Sequence, residues 1–188
     1  VSVDYPVCLR LASRPVLVVG GGRVAEARAL QLLEAGARVT VIASAATERL
    51  LELAERSRVR LVLRRWSGGD CAGFGLIFVA TDDRRVSEAV ARETRASGAL
   101  LNAADEPDLC DFTVPSFGRR GGVTVAVATG GDAPAIAAVL RRRLQAQVNA
   151  NDERQVLLSG WIRRRLPRGT KRTQLLRRVA ARVEGANG

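Results

Sequence analysis

The chain has no histidine, no methionine and, in 188 residues, only three cysteines. Without histidine, Ser-His-Asp hydrolysis and imidazole acid–base chemistry are excluded. Any proton donor or acceptor must be a carboxylate, thiol, phenol, lysine or bound water. Cys8, Cys71 and Cys110 are scattered, odd in number and form no C-x-x-C pair. That argues against a disulfide scaffold and against structural zinc, and no metal ligand is assigned. No apolar run approaches the ~20 residues that span a bilayer. Val1 to Arg10 lack the basic-then-apolar plan of a secretory signal. These absences read as a soluble, cytoplasmic chain with no membrane partner.

Lysine is nearly absent too: Lys171 is the only one, yet Lys+Arg is 30 against 19 Asp+Glu, for a net charge of +11. The arginine excess clusters late, in Arg141–Arg143, Arg163–Arg165 and Arg168–Arg178. Three explanations stand side by side: a nucleic-acid partner, a polyanionic small substrate, or the arginine bias of a GC-rich genome. Aromatic residues make up only 4%, and Trp161 alone lies in the basic tail. Stacking aromatics are what a nucleic-acid binder usually adds to charge, so no nucleic-acid partner is assigned. At 47% hydrophobic and 26% charged, the chain has an ordinary globular composition with enough apolar material for a core.

The hydrophobic pattern alternates between strand and helix periods. Val16–Gly20 reads as a buried parallel strand, Val24–Ala35 as a helix stopped by Gly36, and Arg38–Ile42 as a second strand. Ala46–Arg56 follows as a helix, Val59–Leu63 as a strand, and Gly68, Gly69 and Gly73 as a loop. Leu76–Ala80 is an apolar central strand, Arg84–Ser97 a helix closed by Gly98, and Ala99–Asn102 a fifth strand. The fold class is therefore α/β, with an N-terminal Rossmann-type parallel sheet. After Asp105 the rhythm changes. Phe112–Phe117 and Val123–Ala128 read as strands around the turn Arg119–Gly122, and Pro115 marks the first as an edge or bulged strand. Ala135–Gln147 reads as a helix, Asn149–Asp152 as a break, and Glu153–Val183 as two basic helices parted by Pro167–Gly169. The tail Glu184–Gly188 reads as disordered. The expected division is a Rossmann domain over 1–111, a small strand-helix segment over 112–148 and a basic helical part over 149–188.

Gly20-Gly21-Gly22-Arg23-Val24-Ala25 is a G-x-G-x-x-A fingerprint placed after a strand and opening a helix. Gly20 makes the tight turn, Gly22 lets the backbone approach a pyrophosphate, and Ala25 allows close helix–strand packing. The helix N-terminus then offers free N–H groups to the phosphates. The second strand ends in Ile42-Ala43-Ser44-Ala45, with neither the acid that grips an NAD ribose nor an arginine for a 2′-phosphate. Ser44 or backbone must serve the ribose, and NAD against NADP stays open. Thr81 and Asp82, at the carboxyl end of the fourth strand, either line the nicotinamide side or, with Asp83, cap the helix from Arg84. Asn102-Ala103-Ala104-Asp105 ends the fifth strand. Asp105 is the best-placed carboxylate for proton transfer if burial raises its pKa; otherwise it caps a turn into Pro107.

Taken together these residues resemble the siroheme-synthase N-terminal module, the precorrin-2 dehydrogenase family. The resembling segments are Val19–Ala25, Glu34–Val41, Ala80–Asp83, Asn102–Asp105, Cys110–Ser116 and Thr129–Pro134, in order from about Tyr5 to Leu144. The resemblance implies NAD-dependent oxidation of precorrin-2, a polycarboxylate tetrapyrrole, to sirohydrochlorin on the route to siroheme or cobalamin. In some members it also implies Fe²⁺ insertion, so Fe²⁺ or Co²⁺ is a candidate chelation substrate. It implies a homodimer built through Phe112 to Gln147, catalysis at Asp105, and cofactor contacts at Arg23, Val24, Ser44 and Ala45, which join Gly20, Gly22, Thr81 and Asp82 from the motif reading above. Candidate substrate contacts are Asn102, Ser116, Thr129 and, for the carboxylates, Arg119 and Arg120. With no methyltransferase segment following, the chain resembles a stand-alone form. A regulatory ligand-sensing Rossmann domain is the rival; it accounts for Val18–Ile42 but not for Cys110–Ser116.

Overall fold

A computed structural model describes residues 4–184. Of the tail read as disordered, Glu184 closes the last helix, and residues 185–188 lie outside the described residues. The chain forms two compact units, Val1–Val114 and Pro115–Gly188. Among the described residues no helix is long and apolar enough to cross a membrane.

In the first unit the elements run β1 (Pro15–Val19), α1 (Arg23–Glu34), β2 (Arg38–Ala43), α2 (Glu48–Glu55), β3 (Arg60–Leu63), β4 (Leu76–Val79), α3 (Arg84–Ser97) and β5 (Leu100–Ala103). The five strands are all parallel, in the order β3-β2-β1-β4-β5. Side chains alternate across the sheet and build two cores. Val16, Val18, Val41 and Phe78 pack with Ala25, Ala29 and Leu32 of α1 and Leu50 of α2. Leu17, Val19, Ile77 and Leu101 pack with Val90 and Ala91 of α3. Strands buried on both faces explain the unbroken apolar runs. α1 ends as the glycine at 36 predicts: Gly36 is at φ 80°, its N–H donates to Leu33 and that of Ala37 to Leu32, a Schellman closure.

Where a crossover helix usually joins β3 to β4, residues 64–75 form a loop. Arg64 makes a two-pronged pair with Asp70 at 2.6 Å per bond. The Glu93 carboxylate of α3 accepts the N–H groups of Gly69 and Cys71. Burial, and then Glu93 beside it, push the Cys71 thiol up to about 12, so it serves the core and not chemistry.

The second unit holds β6 (Ser116–Arg120) and β7 (Val123–Val127), an antiparallel pair, then α4 (Pro134–Gln147), α5 (Ala150–Arg165) and α6 (Thr170–Glu184). The strand expected over Phe112–Phe117 starts only at Ser116. Phe112 and Val114 instead pack on the core beneath α1, and Pro115 has no N–H to give a ladder. Arg119 and Arg120, expected in the turn, lie in β6, and Gly121–Gly122 make the turn alone. The break expected at Asn149–Asp152 is a helix start: Asn149 accepts from the Asn151 and Asp152 N–H groups while Asp152 accepts from that of Asn149. This reciprocal capping box carries α5 back to Ala150. α5 and α6 pair antiparallel, with the Asn151 amide donating to the Arg182 carbonyl at 3.2 Å.

Candidate functional site

β1 and β4 are neighbours although four elements, α1, β2, α2 and β3, separate them in sequence, so the strand order reverses between them. Ligands of such sheets sit in the crevice at that switch point, beyond the carboxyl ends of the strands. The glycine loop leaves β1 there. A side chain on Gly20, at φ 122°, would overlap the Ala80 carbonyl oxygen at the end of β4. One on Gly21 would overlap the Ala45 carbonyl oxygen beyond β2. The loop is thus wedged between its two flanking strands, held by Gly20 N–H to Ile42 and Thr47 N–H to Gly21. Gly22 differs: its Cβ position meets nothing within 4 Å. It precedes α1 with no side chain capping the helix. Open space before uncapped N–H groups at the positive end of a helix fits a pyrophosphate. Arg23 and Val24, the first residues of α1, are exposed beside it.

Ser44 and Ala45 are both exposed just past β2, on the side of the loop where a ribose would lie. Past β4, the capping question resolves to Asp83: its carboxylate accepts the Arg85 N–H at 3.0 Å, and Thr81 Oγ1 accepts the Asp83 N–H. Asp82 takes no part in the cap and is exposed.

Past β5 lies the turn with Asn102 and Asp105. β5 is an edge strand, and side chains in place of a sixth strand satisfy its outer backbone groups. Asp111 Oδ2 accepts the Leu101 N–H at 2.8 Å, and the Asp111 N–H returns to the Leu101 carbonyl at 2.8 Å. Cys110 Sγ accepts the Ala103 N–H and donates to a carbonyl, that of Ala103 or Glu106. Asn102 Nδ2 donates to the Phe112 carbonyl at 3.0 Å. The Cys110-Asp111-Phe112 segment is therefore a clasp that holds the turn's shape. Burial raises the Cys110 thiol, which keeps it protonated for that role. Asp105 sits at φ 60°, a left-handed conformation that Asp tolerates better than most residues. The burial foreseen for it is not found: Asp105 is exposed, because the turn projects it past the sheet edge. Beside it, Glu106 Oε2 is buried without a hydrogen-bond partner. The cap is legible as the Thr-Asp-Asp run before Arg84, whereas the clasp, built of side-chain-to-backbone bonds, escapes a period-based reading.

In the second unit, Thr129 Oγ1 accepts the Ala133 N–H at 3.3 Å, shaping the Gly130–Gly131 turn into α4. Arg120 pairs with Glu153 at 2.9 Å, and Arg119 lies over the Phe117 ring at 5.4 Å. Ser116 opens β6 opposite Val127. Among the described residues no cluster of three or more Cys, Asp or Glu is arranged to hold a metal ion.

The sheet order and the glycine loop define a Rossmann-type dinucleotide-binding protein. Over residues 7–116 the chain matches the family described as putative NAD(P)-binding, and it belongs to that family. The resemblance read from the motifs is borne out. The chain is 43% identical to the siroheme synthase of Methylococcus capsulatus over 165 residues, 87% of this chain and 35% of that one. It is 38% identical to the siroheme synthase of Methylobacillus flagellatus over 77% of this chain and 31% of that one. The chain thus spans about a third of the length of the curated relatives it matches. A solved structure, "SirC, precorrin-2 dehydrogenase", has the same fold, with a TM-score of 0.78 at 24% identity over 97% of this chain and all of that one.

Proposed function

We propose that this chain oxidises precorrin-2 to sirohydrochlorin with NAD⁺. The observation that carries the reading is the placement of Gly20, Thr81 and Asp105 at the carboxyl ends of three consecutive strands, β1, β4 and β5. A dinucleotide cradle and a carboxylate turn then share one edge of the sheet. The names of the similar proteins supply the substrate class. A bound dinucleotide supplies the two-electron acceptor. Asp105 takes the proton that leaves the substrate, and Asn102 orients the substrate beside it. Asp105 is exposed in the free chain, so its carboxylate is open to a substrate docked at the strand ends. Gly22, Arg23 and Val24 hold the pyrophosphate, Ser44 and Ala45 the ribose, and Thr81 and Asp82 the nicotinamide end. Ser116, Thr129, Arg119 and Arg120 are the further candidate substrate contacts, within a three-part division 1–111, 112–148 and 149–188.

The active form is a homodimer. α4 exposes Ile136, Val139, Leu140 and Leu144 at helical spacing, an apolar stripe of the kind that a second copy covers. An anaerobic assay with precorrin-2 and NAD⁺, following NADH and sirohydrochlorin together, tests the function. Equimolar appearance of both supports it, and NAD⁺ binding without product leaves the regulatory reading. Adding Fe²⁺ or Co²⁺ afterwards reads whether the chain also inserts metal.

A further inference from the structure

Arg28, the sixth residue of α1, lies past the first turn, whose N–H groups face the cofactor. Its guanidinium lies 4.9 Å from the centroid of the buried Phe78 ring. Its hydrogen bond goes to Gln31 Oε1 at 3.0 Å, and no ion pair includes it among the described residues. Desolvation lowers its pKa. The other helix arginines with recorded ion pairs in this unit, Arg49 and Arg84, lie at the surface beside Glu52, Glu88 or Asp108. A half-buried cation without a counter-charge is costly, and such groups concentrate where a ligand supplies the missing charge.

The surroundings point toward the β5 turn. Phe78 meets Phe112 edge-on, with centroids 5.6 Å apart at 85°. The Phe112 carbonyl accepts from Asn102, which is paired with Phe78 across β4 and β5. Arg28 is thus linked through two rings to the residue three positions before Asp105. Gln31 takes one of its N–H groups, and a guanidinium carries five in a planar fork suited to a planar acceptor.

We propose that Arg28 is a carboxylate-binding residue, taking one acidic arm of the substrate on the α1 side of β4 and β5. The assignment rests on the dehydrogenase reading for its substrate class, a polycarboxylate tetrapyrrole. A guanidinium fixed in plane binds a carboxylate with two parallel bonds, and the low-dielectric ring beside it strengthens the pairing.

The test measures binding of uroporphyrin, a stable polycarboxylate tetrapyrrole, by tryptophan quenching in wild type, Arg28→Gln and Arg28→Lys. NAD⁺ affinity, melting midpoint, and KM and kcat for precorrin-2 are read in parallel. In Arg28→Gln the porphyrin Kd and the precorrin-2 KM rise about tenfold or more. NAD⁺ affinity is unchanged and kcat stays within about twofold, the pattern of lost uniform binding. Arg28→Lys, which keeps the charge and loses the fork, falls between. Wild-type Kd and KM in Arg28→Gln overturn the assignment, as does an equal loss of NAD⁺ affinity. If Arg28→Gln does not fold, wild-type porphyrin affinity in Arg28→Lys overturns it. Arg28-dependent porphyrin binding without precorrin-2 oxidation retires the dehydrogenase reading and keeps the anion site. Oxidation with a KM indifferent to Arg28 does the reverse.

Discussion

The first unit holds fifteen basic and fifteen acidic residues and is neutral; the second holds fifteen basic against four acidic and carries the whole net charge of +11. Their interiors differ as sharply. The first buries apolar side chains on both faces of its sheet. In the second, the buried apolar residues among those described are Ala137, Ile162 and Val179, while Ile136, Leu144, Leu157 and Trp161 are exposed. A segment of this size with so little interior and so much like charge is poorly equipped to stand alone. The two units therefore differ in kind: a neutral parallel sheet with a core on both faces, and a strongly basic helical unit with a thin core and an exposed apolar stripe, the surface on which the proposed dimer rests.

Several substitutions sharpen or break that contrast. The largest effect is expected at Gly20. Gly20→Ala drives a methyl into the Ala80 carbonyl at a backbone angle that L residues rarely adopt, and should cost about 3 kcal/mol or more, read as a fall in denaturant midpoint. Its neighbour makes the control: Gly22→Ala meets open space, so stability holds while NAD⁺ affinity drops by calorimetry. In the second unit, Leu140→Glu places a charge on the α4 stripe. Sedimentation velocity should show the dimer dissociating, with Kd raised about a hundredfold, while the first unit keeps its NAD⁺ affinity. A variant that sediments like wild type would break the comparison.

Smaller effects test the clasp on β5. Cys110→Ala leaves the Ala103 N–H without its acceptor and should cost about 1–3 kcal/mol, with kcat falling as the Asp105 turn loosens. Cys110→Ser, which keeps an acceptor and a donor, should recover part of both. The smallest change is expected at Asp70. The Arg64 hydrogen bond, chiefly, holds its carboxyl below the usual carboxylate range. A lowered folded-state pKa contributes stability above the unfolded value of about 3.9 that is lost as pH falls through the folded one. Asp70→Asn should therefore melt slightly below wild type at pH 7, and the gap should close under acid conditions. A gap that persists at low pH would assign the loss to Asn packing and not to charge.

Much of this architecture was legible in the sequence, because burial on two faces writes itself as unbroken apolar strands and Gly36 and Gly98 punctuate the helices. The glycine loop was legible for the same reason: Gly20 and Gly21 have no room for a side chain. What escaped was built from side chains meeting backbone. The Cys110–Asp111 clasp replaces a strand without any strand pattern. The Asn149–Asp152 pair looked like a break because cap residues are also turn residues, although their three-residue spacing is the signature of a helix start. Arg28, one arginine among many in the sequence, stands out only by its place beside the Phe78 ring and by having no ion pair among the described residues. Asp105 stands just past a strand end, as its motif places it, but the burial expected of it is absent because the turn projects it past the sheet edge, which the apolar run of β5 does not foretell.

We propose that Asp105 performs proton transfer beside a dinucleotide held at the glycine loop. Its most direct test is anaerobic turnover of precorrin-2 with NAD⁺ by wild type and Asp105→Asn in parallel, with NAD⁺ affinity measured on both. The account predicts equimolar NADH and sirohydrochlorin from wild type. In the variant it predicts kcat lower by about 10²–10⁴-fold with NAD⁺ bound as tightly as before. Undiminished turnover in Asp105→Asn, or none in a wild type that binds NAD⁺, would contradict it.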